Sequence, residues 1–159
     1  MIVPITFAIG SVAKNVSEAD ALSYVAGYMI ADDVSERSLQ KGGPGEWIKA
    51  KSYDSFGPLG PWLVTKDEVP DPQALGLALD LNGTRMQTGN TSTMIFSVAH
   101  LVSYISGFMT LMPGDVVTTG TPPGVGMARN PRVFLKEGDR LTLTVEGLGE
   151  QRHTVVAET

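Results

Sequence analysis

Residues 75–89, LGLALDLNGTRMQTG, decide the fold class. Leu75, Leu77, Leu79 and Leu81 alternate with small or polar residues. That is the period of a strand with one buried face. Asn82-Gly83 follows at once, a pair suited to a type I′ turn. The stretch therefore predicts a hairpin around Leu77–Arg85. Residues 139–158, DRLTLTVEGLGEQRHTVVAE, predict a second one over Arg140–Val155, turning near GLGE. GDVVTTGTPPGVG, residues 114–126, reads as a short strand and a Gly/Pro loop, and YMIADD, residues 28–33, as a strand running into acids. EWIKAKSYDSFGPLGPWLVT, residues 46–65, alternates around Ile48, Ala50 and Tyr53 before turning at GPLGP.

Two segments have helical signals. Ser17 can cap a helix, Asp20 can close its capping box and Gly27 can end it, which predicts a helix over Ser17–Ala26. Met94, Ile95, Val98, Leu101, Val102 and Ile105 recur at helical spacing, with Ser92 as cap and Gly107 as stop, which predicts a helix over Ser92–Ser106. The expectation is one β-rich α+β domain, mainly β with a few helices, over residues 1–159.

Composition narrows the function. The chain has 159 residues, 42% of them apolar, enough for one core. No apolar run approaches the roughly 20 residues that span a bilayer. MIVPITFAIG, residues 1–10, has no basic n-region, so no signal peptide is expected. The absence of cysteine rules out disulfides and thiolate chemistry, and fits a reducing, cytoplasmic compartment. Net charge is −5 without a basic stripe, which argues against nucleic acid as a partner.

The chemistry concentrates in ADDVSERSLQ, residues 31–40. Strand geometry turns Asp32 and Asp33 to opposite sides. A carboxylate at a strand exit can ligate a hard cation. Arg37 offers a rigid fork for a carboxylate, Gln40 an amide donor, and Lys51 a second cation after KGGPG. Donors aimed at one point stabilise an oxyanion. The same residues also suit a solvated turn with surface ion pairs. TTGTPPGVG, residues 118–126, offers hydroxyls and backbone N–H groups to an anion, or is simply a turn. It lacks the Gly-Lys-Ser/Thr ending of a phosphate loop. GNTS, residues 89–92, suits a helix cap. His100 falls opposite the apolar stripe of its helix and His153 on an outward strand position, so both read as surface residues.

NVSEADALSYVAGYMIADDVSERSLQ, KAKSYDSFGPLGPWLVTKDEVPDP, LALDLNGTRMQTGNTSTMIFSVAHLVSYIS, LMPGDVVTTGTPPGVG and FLKEGDRLTLTVEGLG together resemble the fumarylacetoacetate hydrolase family. The match is colinear from about Gly10 to Gly149, and the DDVSERSLQ and TTGTPPGVG segments are its most specific parts. The resemblance implies a mixed β-roll, paired as a homodimer. It implies an enzyme of aromatic catabolism acting on 2-oxo acids or 1,3-dicarbonyl compounds by C–C hydrolysis, decarboxylation or keto–enol isomerisation, through an enolate. It implies a divalent cation, Mg²⁺ or else Mn²⁺ or Ca²⁺, with Asp33 at a metal-ligand position. It places Arg37, Gln40 and Lys51 on substrate oxygens and the developing oxyanion, and Thr121 on the substrate carboxylate.

The chain departs from the family pattern at three points. The two glutamates of the metal-binding strand fall on Ile2 and Pro4, neither of which can ligate a cation. An upstream lid segment is not in the sequence, and the acid after the arginine is Ser38. The first two departures point to a truncated, diverged or partial member. The alternative to an enzyme is a non-catalytic member that keeps fold and dimer surface and binds small carboxylates weakly.

Overall fold

The computed structural model describes residues 3–41 and 47–157, with the backbone alone for Lys41. Eight strands form two four-stranded sheets among these residues. β1 (Ile5–Ile9), β2 (Val25–Ala31), β3 (Leu59–Thr65) and β6 (Val116–Thr118) lie in the order β3-β2-β1-β6. β4 (Gly76–Leu81), β5 (Thr84–Asn90), β7 (Arg140–Val145) and β8 (Gly149–Thr154) lie in the order β5-β4-β7-β8. Every pairing between them is antiparallel. The α-helices are α1 (Arg37–Lys41) and α2 (Val98–Phe108). The fold is mainly β with few helices, as the alternating patterns indicate. No helix of the described residues is long and apolar enough to cross a membrane.

Both hairpins form. β4 and β5 meet at Asn82 and Gly83, whose φ angles of 51° and 77° are those of a type I′ turn. β7 pairs with β8 from Arg140↔Thr154 to Val145↔Gly149. Leu77, Leu79 and Leu81 of β4 and Leu141, Leu143 and Val145 of β7 are buried. They join one core with Ile5, Phe7 and Ile9 of β1, Tyr28 and Ile30 of β2, and Val98 and Val102 of α2. Each such side chain, fully buried, contributes about 1.5–3 kcal/mol. Strand β1 is buried throughout: its odd positions enter this core, and Thr6 and Ala8 are enclosed on the other face.

The first expected helix is corrected. Only half of the capping box at Ser17 forms: Ser17 Oγ accepts the Asp20 N–H at 3.2 Å, while the Asp20 carboxylate accepts from the Ser17 hydroxyl, at 2.6 Å, rather than from its backbone N–H. Only a 3-10 turn over Ala21–Tyr24 follows, and β2 starts at Val25. Gly27 is no helix stop. It pairs with Ala8 and Thr65 in the middle of the sheet, where a Cβ would stand 2.2 Å from the Val64 carbonyl oxygen. Strand pairing on both sides outweighs the local helical signal.

The second helix is shifted. Asn90, not Ser92, caps a 3-10 turn over Thr91–Thr93, accepting the Ser92 N–H at 2.9 Å. The helix proper starts after Ser97, which accepts the His100 N–H at 3.0 Å, and it runs through Gly107 to Phe108. Met94 and Ile95 lie before it, and Ile95 is 91% exposed. His100 is half-buried rather than free on the surface. Its ring stacks on Phe96 and Tyr104, and Nδ1 lies 3.2 Å from Glu18 Oε2. His153 is also half-buried, with Nε2 3.0 Å from Gln151 Oε1. The alternation read around Ile48 is a 3-10 turn over Lys49–Lys51 that buries Ala50 and leaves Ile48 80% exposed.

Candidate active site

The exit of β2 builds the site. Asp32 turns inward and is 1% exposed, while Asp33 turns the other way and is partly open. The Asp32 N–H donates to the Pro58 carbonyl at 3.1 Å, and the Val34 N–H returns to the Asp32 carbonyl at 2.8 Å. These bonds fold the chain sharply away from the sheet. The Glu36 N–H donates to the Ala50 carbonyl at 2.9 Å, which ties the 33–38 segment to the Lys49–Lys51 turn. The Asp33 carboxylate then forms an ion pair with the Lys51 ammonium, each side chain about a quarter exposed. The ammonium also lies 5.6 Å from the centre of the Trp47 ring, a cation–π distance.

One turn further on, Arg37 Nη1 donates to Gln40 Oε1. Gln40 is buried, and its Nε2 has no hydrogen-bond partner among the described residues. The Glu36 carboxyl is held below its usual range by hydrogen bonds from Ser38, first the hydroxyl and then the backbone N–H. Arg37 faces a cleft of about 600 Å³ with Glu36, Phe56, Val125, Gly126 and Arg132. Two arginines against one glutamate give its charged lining a net positive charge.

Thr121 lies on the loop that follows β6. The loop after β6 is fixed by Gln87, a 2% exposed residue of β5. Its Nε2 donates to Thr121 Oγ1 at 3.0 Å and to the Pro122 carbonyl at 2.9 Å. Its Oε1 accepts the Val3 N–H at 3.2 Å. Arg129 clasps the same loop, donating to the Gly124 carbonyl at 3.2 Å and the Met86 carbonyl at 2.5 Å. Gly124 has φ of +109°, and a Cβ there would stand 2.2 Å from the Met86 carbonyl oxygen, so this close approach needs glycine.

The structure thus joins Asp33 to Lys51 and Arg37 to Gln40 within one folded segment. Thr121 borders a different cavity, of about 360 Å³, with Met94, Phe96 and Pro122. The loop meets the Arg37 cleft at its far end, through Val125 and Gly126. Gln87 and Arg132 carry no local sequence signal for these positions, since a polar residue on a strand or loop reads as solvent-facing.

The described residues do not by themselves make a divalent-cation centre. No group of three or more His, Asp or Glu residues among the described residues could hold a metal ion. Asp33 is engaged by Lys51, and Pro4 offers no ligand. Ile2 and Glu46 lie outside the described residues.

The sequence pattern of the fumarylacetoacetate (FAA) hydrolase C-terminal family matches residues 3–156. The chain belongs to this family. A relative from Burkholderia lata, named only provisionally as a hydrolase, is 61% identical over 148 residues, covering 92% of this chain and 52% of its own. The chain therefore spans about half the length of that relative. Among solved structures, fumarylacetoacetate hydrolase from Exiguobacterium antarcticum superposes with a TM-score of 0.95 at 36% identity, over 99% of this chain and 56% of its own. Fumarylpyruvate hydrolase from Pseudomonas aeruginosa, solved in complex with Mn²⁺ and pyruvate, superposes with a TM-score of 0.88 at 31% identity, over 99% of this chain and 65% of its own.

Proposed function

We propose that the chain is a fumarylacetoacetate hydrolase-type enzyme domain that binds 2-oxo acids or 1,3-dicarbonyl acids and stabilises the enolate formed from them. Three groups serve this role. Lys51 and Arg37 supply positive charge for the enolate oxygen, and Gln40 supplies a neutral donor. Preoriented charges and donors in a partly enclosed site lower the energy of a developing oxyanion without reorganisation. The observation that carries the reading is Gln40: its amide is buried, fixed at Oε1 by Arg37, and its Nε2 is unpartnered among the described residues. A buried donor without an acceptor is costly in the empty protein and becomes favourable when an anion accepts from it. Thr121 is proposed to meet the substrate carboxylate.

The family neighbours make hydrolytic C–C cleavage of an acylpyruvate the first reaction to try. Cleavage would break the bond between the acyl carbon and the pyruvyl methylene, adding water to the acyl group and leaving pyruvate enolate at the cations. The test is loss of the ultraviolet enol absorbance of an acylpyruvate on addition of the protein. Turnover that falls at least tenfold in both Arg37→Met and Gln40→Leu supports the proposal. Turnover unchanged in both overturns it.

One observation favours a second reading. Asp33 is a lone carboxylate already paired with Lys51, which suits a protein that binds small carboxylates without turning them over. Pyruvate binding in calorimetry with no acylpyruvate turnover would select it.

A further inference from the structure

We infer that this site holds its 2-oxo carboxylate ligand without a divalent cation, with the Lys51 ammonium as the positive group beside Asp33. The inference rests on the proposed binding of 2-oxo acids and concerns how the anion is held.

A hard divalent cation takes six or more oxygen ligands, several of them carboxylate. Asp33 supplies one carboxylate, and no cluster of acids or histidines completes a set among the described residues. Pro4, just before β1, brings no oxygen-bearing side chain. An incoming cation would also have to displace the Lys51 ammonium, which is held by the Asp33 carboxylate on one side and the Trp47 ring on the other. Like charges repel, so an incoming cation and the ammonium compete for the one Asp33 carboxylate.

The surroundings favour an anion instead. The Asp33–Lys51 pair is neutral as a unit. Arg37 and Arg132 outweigh Glu36 in the adjoining cleft. The Gln40 amide has N–H groups to donate and no acceptor for them among the described residues. A metal-centred site gathers negative side chains and lets the ion meet the substrate oxygens. Here positive and neutral donors are available to meet those oxygens directly.

The experiment is calorimetric titration of the full chain with sodium oxalate, a planar mimic of enolpyruvate, in buffer containing EDTA. It is paired with a water-proton relaxation titration of Mn²⁺ with and without pyruvate. Oxalate is expected to bind in EDTA. Lys51→Met is expected to weaken it at least tenfold, and Lys51→Arg, which keeps the charge and the ion pair, less than threefold. Mn²⁺ is expected to bind no more tightly when pyruvate is present. Oxalate or pyruvate binding that appears only with Mn²⁺, or Mn²⁺ affinity raised by pyruvate, overturns the inference and leaves the proposed function standing. No binding of either anion under any condition overturns both. Thermal melts of the two Lys51 variants separate loss of binding from loss of fold.

Discussion

Gln87→Leu tests whether one buried amide sets the position of the Thr121 loop. The substitution keeps the volume of the side chain and removes its polar atoms. Three partners lose their bond: the Val3 N–H, the Thr121 hydroxyl and the Pro122 carbonyl. They do not lose equally. Val3 is fully buried, so its N–H is left without an acceptor, at about 1–3 kcal/mol. The Pro122 carbonyl is half-buried and recovers most of its loss from water, leaving at most about 1 kcal/mol. Thr121 is exposed, and its hydroxyl rebonds to solvent. The sum is about 1–4 kcal/mol. For a chain of this size each kcal/mol lowers Tm by roughly 2–4 °C, so the variant is expected to melt roughly 2–16 °C lower. Thermal denaturation followed by circular dichroism reads the first number. Hydrogen exchange reads the second effect: the Val3 amide should exchange faster than in the wild type. A melting point lowered by less than 1 °C, with Val3 exchange unchanged, would show that Gln87 does not hold the strand and the loop together.

Two further effects follow from single buried groups. Thr6 is fully buried with Oγ1 unpartnered among the described residues, so Thr6→Val is expected to raise stability by about 1 kcal/mol in urea denaturation, and a loss of similar size would mean that the hydroxyl has a partner in solution. Burial first, and then the Asp71 charge, push the Tyr28 phenol up to about 12, above the value of about 10 in the unfolded chain. The folded state therefore keeps this proton longer than the unfolded state does. The contribution is intact below about pH 10 and is lost as pH rises toward 12, by up to about 2–3 kcal/mol. Urea midpoints across that range should fall more steeply for the wild type than for Tyr28→Phe, and parallel profiles would sink the assignment.

The parts of the fold that were legible are those whose cause is local. The Leu77–Leu81 alternation and the Asn82-Gly83 turn act within a few residues, and the hairpin forms where they place it. The Ser17–Asp20 cap is also local, and half of the expected box forms. What the helix needed next was a run free to coil. Residues 25–31 instead pair with β1 on one edge and β3 on the other. A cap fixes where a helix can start, not whether the following residues have better partners elsewhere. Ser92 and Ser97 make the same point within one segment. Both are good caps, but only the residues after Ser97 bury a helical face, through Val98 and Val102.

The site divides along the same line. Asp33, Arg37 and Gln40 lie within eight positions, and their chemistry and grouping could be read together. Lys51 is eighteen positions from Asp33 and meets it because the Glu36–Ala50 bond closes the intervening loop. Thr121 was legible as a hydroxyl in a glycine-rich loop, but its destination was not. That is decided by Gln87, thirty-four positions earlier, on a strand whose sequence gives no sign that its amide points inward. The Gln151 amide does the same for the β2 exit, donating to the Ile30 carbonyl at 3.1 Å and the Gly60 carbonyl at 3.0 Å. Both glutamines sit in strands where a polar residue ordinarily marks the solvent face. Each is instead a buried post that satisfies backbone groups of a distant segment. An unpaired backbone group in the interior is expensive enough that a polar side chain becomes the better occupant of a core position. Hydrophobic periodicity cannot find such residues, because their burial follows from what the backbone opposite lacks rather than from their own character.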